Sequence, residues 1–87
     1  MNEKDYNLMS ESEQLVAVNK DSHVIEYIKK PSEDVQLAAV NKNGYVIYYI
    51  KNPSEAVQLS AVQQDSSAID YIENPTISVQ MMAKLLS

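Results

Sequence analysis

The sequence predicts an all-α fold, a short α-solenoid of about three and a half helix–turn–helix repeats. Three observations carry that prediction. The chain repeats itself at a period of 22 residues with no insertions. Each copy opens on a helix-start signal, and each complete copy holds a second short apolar segment. Self-similarity at a fixed period of this size marks a stacked-repeat protein, in which one unit cannot bury its apolar face alone but neighbours can.

The units are 9–30, 31–52 and 53–74, followed by a half unit, 75–87, all in one domain spanning 1–87. Gln14, Gln36, Gln58 and Gln80 share one slot; Ala17, Ala39, Ala61 and Ala83 share another. Leu15, Leu37, Leu59 and Met81 fill a third, and Val18, Val40 and Val62 a fourth. In the second half of the unit Ile25/Ile47/Ile69, Tyr27/Tyr49/Tyr71 and Ile28/Ile50/Ile72 recur.

The first helix of each unit starts at Ser10, Ser32, Ser54 or Thr76, whose hydroxyl can accept from a free backbone N–H. Ser10 has Glu13 three residues on, the spacing of a capping box. Glu11, Glu13, Glu33, Asp34 and Glu55 lie in first turns, and Lys20 and Lys42 near helix ends, complementing the helix dipole. Val35, Ala39 and Val40 fall on one face. Gly44 reads as a left-handed residue closing the first helix, with Asp21-Ser22 and Asp65-Ser66 replacing Asn43-Gly44 in the other copies.

The second helix is expected over 45–51 in the middle copy, with Ile47 and Ile50 on one face, closed by Pro53 as Pro31 and Pro75 close its counterparts. Val, Ile and Tyr also favour strands, which would give a helix-plus-strand solenoid. Glu26 and Asp70 within this segment, and the lack of clean alternation, argue for the helix. Residues 1–8 align with the second half of a preceding unit, with Asp5 and Tyr6 in the Tyr and Ile slots, and read as a polar cap.

The pattern P-S-x-x-V-Q-L-x-A-V-x-x-[ND]-[GS]-x-x-I-x-Y-I resembles a short repeat of bacteria and their phages classed as a domain of unknown function. The resemblance covers Met9 to Ser87; Met9 stands where the proline should be, and Asn-Gly survives once, at Asn43-Gly44. It implies an α-helical repeat array of bacterial or phage origin and transfers no catalytic residue.

The net charge is −5, and all seven basic residues are lysines. An acidic chain without arginine is poorly suited to gripping phosphate backbones, so direct nucleic-acid binding is not expected. There is no cysteine, hence no disulfide framework or thiol chemistry. No apolar run is long enough to span a membrane, and the N-terminus lacks a basic-then-apolar leader pattern, so the cytoplasm is the expected location. Asp21, Ser22 and His23 are adjacent in sequence, whereas a catalytic triad converges from separate elements, and one histidine makes a poor metal site. No nucleophile–base pair, metal cluster or phosphate loop emerges, so an enzyme is not expected, and neither is a cofactor.

The candidate partner-binding residues are Tyr45 and Tyr48, with His23, Glu26 and Asp70. The slots of Tyr45 and Tyr48 hold His23 and Glu26 in one neighbouring unit and Ser67 and Asp70 in the other. Slots that vary from polar to aromatic read as exposed. Tyr27, Tyr49 and Tyr71, identical in every unit, read instead as a stacking ladder. The glutamine series reads as structural, for example bonding the next unit's turn. In the last helix Ile77 replaces glutamate and Met82 replaces Val, Ala or Ser. Leu85 and Leu86 replace polar residues. With Met81 they form a candidate two-fold dimer interface. The expected function is a small protein-binding module without enzymatic activity. A phage or mobile-element inhibitor of a bacterial defence system, such as an anti-CRISPR, is its narrowest form. The alternative is a self-assembly module using the apolar last helix.

Overall fold

The computed structural model describes residues 5–87, and over those residues the fold is all-helical. Four ten-residue α-helices, α1 (Glu11–Lys20), α2 (Glu33–Lys42), α3 (Glu55–Gln64) and α4 (Ile77–Leu86), pack each on the next. Short 3₁₀ helices alternate with them: η1 (Tyr6–Leu8), η2 (Ser22–Tyr27), η3 (Gly44–Tyr49) and η4 (Ser66–Tyr71). Each of η2, η3 and η4 packs on the α-helix before it and the one after it, and on its own kind in the neighbouring unit. The result is a rod of 44 × 19 × 19 Å with an α row and a 3₁₀ row. Extended connectors at 28–32, 50–54 and 72–76 carry the chain from one unit to the next.

The α-helices begin where the caps predict. The side chains of Ser10, Ser32, Ser54 and Thr76 accept from the N–H groups of Glu13, Val35, Val57 and Val79, and Ser10 and Glu13 complete a capping box. The same hydroxyls also tie the units together. Ser32 donates to Glu11 at 2.6 Å, Ser54 to Glu33 at 2.8 Å and Thr76 to Glu55 at 2.9 Å. One acidic residue per unit therefore serves the dipole of its own helix and accepts from the next helix's cap.

The second element of each unit is a six-residue 3₁₀ helix, not a second α-helix, and in the middle unit it spans 44–49 rather than 45–51. Asp21, Asn43 and Asp65 start these helices by accepting from the N–H two residues on, at 3.0–3.1 Å. The end is an i→i+3 bond, as from the Ile50 N–H to the Ile47 carbonyl. A six-residue run is too short to propagate an α-helix on its own, and the tighter turn suffices. The prolines do not stop these helices directly. Ile28, Ile50 and Ile72 turn the chain extended three residues earlier.

Gly44 is not the left-handed residue that the Asn-Gly dipeptide suggested; no glycine has positive φ, and the cap is Asn43 at φ −154°. Gly44 is needed for space. A β-carbon there would drive into the carbonyl oxygen of Ala61 on α3, while its N–H donates to Gln64 Oε1 at 2.8 Å. The one left-handed non-glycine residue among those described is Asn52, in a connector, a residue type that tolerates this region.

Valines form most of the fully buried core. Val18, Val40 and Val62 on the trailing side of one helix, and Val35, Val57 and Val79 on the leading side of the next, lose all solvent contact. Ala39 and Ala61, also fully buried, let the helices approach closely. Ile25 and Ile47 fill the 3₁₀ side of the core, with Ile69 only partly covered. Each such side chain contributes about 1.5–3 kcal/mol through burial. The recurrent glutamines are structural, but three of the four bond the start of their own unit, and Gln14 donates to the Tyr6 carbonyl before its unit at 2.8 Å. Gln36, Gln58 and Gln80 donate to the carbonyls of Pro31, Pro53 and Pro75, each at 3.0 Å. Gln58 alone also reaches forward, accepting from the Thr76 N–H at 3.4 Å.

Candidate protein-binding surface

The 3₁₀ row determines how its aromatic side chains meet. With three residues per turn, positions i and i+3 lie directly over one another. Tyr45 and Tyr48 accordingly stack with centroids 6.5 Å apart and planes 12° off parallel. Their accessibilities, 37% and 60%, place both at the surface, as their variable slots suggested. Tyr71 from the following unit sets its edge against both rings, at 4.9 Å and 5.8 Å. Tyr49 packs edge-on against Tyr48 at 5.2 Å and His23 at 6.3 Å. His23 in turn lies 6.5 Å from Tyr45. Edge-to-face pairs at these distances each add about 0.5–1.5 kcal/mol beyond area burial, so the cluster is ordered before any partner arrives.

This arrangement corrects the expected ladder. Tyr27, Tyr49 and Tyr71 do not stack on one another. Tyr49 and Tyr71 each pack on the variable positions of the preceding unit, and Tyr27 stacks on Tyr6 at 6.3 Å. Among the candidate binding residues, the structure brings His23, Tyr45 and Tyr48 together and adds Tyr49 and Tyr71. Glu26 and Asp70 are exposed beside them. His23 also stands 3.7 Å from the carboxylate of Asp21. Partial burial, then the Glu26 carboxylate, holds the Tyr49 phenol above its ordinary value.

Below the tyrosines a groove of about 820 Å³ runs between the second and third connectors. Tyr48, Lys51 and Asn52 line one side; Asp70, Tyr71 and Glu73 line the other. Sequence reasoning missed Tyr71 because its constancy suggested an interior role. It also missed the groove, whose walls come from two connectors that only the packing of successive units brings together.

On α4, Ile77, Met81 and Leu85 form an exposed stripe at 69%, 60% and 80% accessibility, with Leu86 also exposed. Met82 differs from these four, because it leans on the core. The first helix keeps Glu13 where later helices carry Val35, Val57 and Val79, and α4 has Lys84 where earlier ones carry Val18, Val40 and Val62. Both outer helices are thus charged at slots that are fully buried between units.

At the other end, Tyr6–Leu8 forms a single 3₁₀ turn capped by Asp5, which places Asp5 outside the turn and Tyr6 over Tyr27. The part of the expected N-terminal cap at 1–4 lies outside the described residues. Among the described residues no group of three or more His, Asp or Glu side chains is placed to share a metal ion, and no helix is long and apolar enough to cross a membrane. No protein-family model matches the chain, and no curated protein or solved structure matches it significantly.

Proposed function

We propose that this protein is a non-enzymatic protein-binding module that presents the His23–Tyr45–Tyr48–Tyr49–Tyr71 cluster to a protein partner. The observation that carries the reading is the stacked, surface-lying Tyr45–Tyr48 pair, held edge-on by Tyr71. Tyrosines immobilised in advance offer large contact area at little entropic cost, the character of interface hot spots. Glu26 and Asp70 at the margin favour a partner surface bearing lysine or arginine. The lack of arginine and the charge of −5 speak against nucleic acid as that partner. The narrowest form of this reading is an inhibitor made by a phage or mobile element against a bacterial defence system, such as an anti-CRISPR. The chain's acidity supports that form by analogy.

Affinity capture from a bacterial lysate tests the reading, with the native chain run beside a Tyr45→Ala/Tyr48→Ala double variant. One dominant partner lost with the variant, while the helical circular-dichroism signal stays intact, is the expected outcome. A partner retained undiminished would remove the tyrosine face from the interface.

A second reading, self-assembly, is favoured by the exposed Ile77–Met81–Leu85 stripe. The i, i+4, i+8 spacing centres the stripe on Met81, so an antiparallel two-fold pairing would bring Met81 against its copy and Ile77 against Leu85. Light scattering at millimolar chain concentration should then give a dimer mass, reduced to the monomer by Met81→Glu.

A further inference from the structure

The first connector already carries an occupant. Asn7, from η1, donates its side-chain amide to the Tyr27 carbonyl at 3.0 Å and accepts from the Lys29 N–H at 2.8 Å. One carboxamide thereby satisfies both polar groups of an extended dipeptide edge, while the neighbouring Tyr6 ring stacks on Tyr27. The other two connectors repeat this backbone closely. Ile28, Ile50 and Ile72 have φ of −104°, −105° and −103°, with ψ of 115°, 122° and 121°. Their flanking carbonyls and N–H groups therefore point the same way relative to their units.

In the third connector the corresponding groups are the Tyr71 carbonyl and the Glu73 N–H, and neither has a hydrogen-bond partner among the described residues. The reason is legible in the register. Asn7 stands one period before Lys29, and the residue one period before Glu73 is Lys51. A lysine can donate but has no acceptor to offer the N–H. The groove between the second and third connectors opens at this place, with Lys51, Tyr71 and Glu73 in its walls.

We propose that this groove is a carboxamide site: it takes an asparagine side chain of a protein partner, bonded to the Tyr71 carbonyl and the Glu73 N–H as Asn7 is bonded at the first connector. The proposal rests on the protein-binding reading and specifies its chemistry. A carboxamide is selected because it donates and accepts in one plane; a carboxylate accepts only, and would face the Tyr71 carbonyl with a second acceptor.

The test uses a blocked peptide copying Asp5-Tyr6-Asn7-Leu8, titrated into the isotope-labelled full chain and followed by amide chemical shifts. Binding with a dissociation constant of about 1–10 mM is expected, about the −3 to −4 kcal/mol within reach of a short peptide. The largest shifts should fall on Glu73 and Ile72. The same peptide carrying Asn7→Asp should bind at least about tenfold more weakly. In the protein, Lys51→Asn should place an internal carboxamide in the groove, abolish peptide binding and slow exchange of the Glu73 amide about tenfold or more. Lys51→Ala should leave peptide binding in place. Equal shifts with the Asp peptide, shifts confined to Lys29 and its neighbours, undiminished binding to the Lys51→Asn chain, or no shift at about 10 mM would each overturn the site. A protein partner lost with the Tyr45/Tyr48 variant but kept by Lys51→Asn would leave the protein-binding reading standing and remove this one.

Discussion

Gly44, Tyr49 and Ile47 show how single side chains are constrained by the unit that follows or precedes them. At Gly44 the Ala61 carbonyl sits where a β-carbon would go. Gly44→Ala should therefore destabilise the chain by about 1–3 kcal/mol through overpacking, despite the usual helical advantage of alanine, as chemical denaturation would measure. Ile47 is fully buried on the 3₁₀ side of the core, and Ile47→Ala should cost about 2–5 kcal/mol. A denaturation midpoint unmoved by that change would contradict the packing described above. Tyr49 adds a pH dependence. Its phenol is held above the ordinary value by partial burial first and by Glu26 second, so folding favours the protonated form. That stabilisation is complete below the unfolded value of about 10 and is lost as pH rises through the higher folded value. Urea midpoints should stay level to about pH 9 and then fall, less steeply in Tyr49→Phe.

At the scale of the element, the cap residues do two things at once. Ser54 accepts from the Val57 N–H and donates to Glu33 of the preceding helix. Ser54→Ala should cost about 0.5–2 kcal/mol, the range for losing an N-cap. Paired with Glu33→Gln in a double-mutant cycle, it should show non-additivity of about 0.5 kcal/mol or more, because both changes touch the same inter-unit bond. Additive effects would mean that the Ser–Glu contact contributes nothing across the unit boundary. The 3₁₀ helices have a different role. Their threefold repeat aligns Tyr45 with Tyr48, which an α-helix would set apart by about 60° around the axis. The aromatic surface thus depends on the second element being 3₁₀.

The whole molecule is a one-dimensional stack, stabilised by each unit's contacts with its neighbours. Inside the stack, a trailing valine and a leading valine are fully buried at each α–α boundary. At the outer faces Glu13 and Lys84 take those positions. Head-to-tail docking of two copies would set Lys84 against Glu13, an ion pair in place of the valine pair buried at each internal boundary, and so would bury less apolar surface there. Replacing both, Glu13→Val and Lys84→Val, should promote concentration-dependent end-to-end association, visible as a rising mass in light scattering. A strictly unchanged mass would show that other features of the end faces keep copies apart.

By itself the sequence determined the helical class, the 22-residue period, the α-helix starts and the valine–alanine stripe, because each is written in local chemistry or in spacing. Ser32, Ser54 and Thr76 are capping residues whatever surrounds them, and Val35, Ala39 and Val40 share a face in any α-helix. It also marked Tyr45 and Tyr48 as surface residues, since their slots change polarity from unit to unit. Only the tertiary structure decided what depends on the neighbouring unit. Asn-Gly signalled a left-handed turn, yet Gly44 is there to admit the Ala61 carbonyl, a contact 17 residues away. Constant tyrosines suggested self-stacking, yet the offset between successive 3₁₀ helices brings Tyr71 onto Tyr45 and Tyr48. The connector edges were illegible for a further reason: their N–H and carbonyl groups belong to every residue type alike, and only the fold shows which are left open.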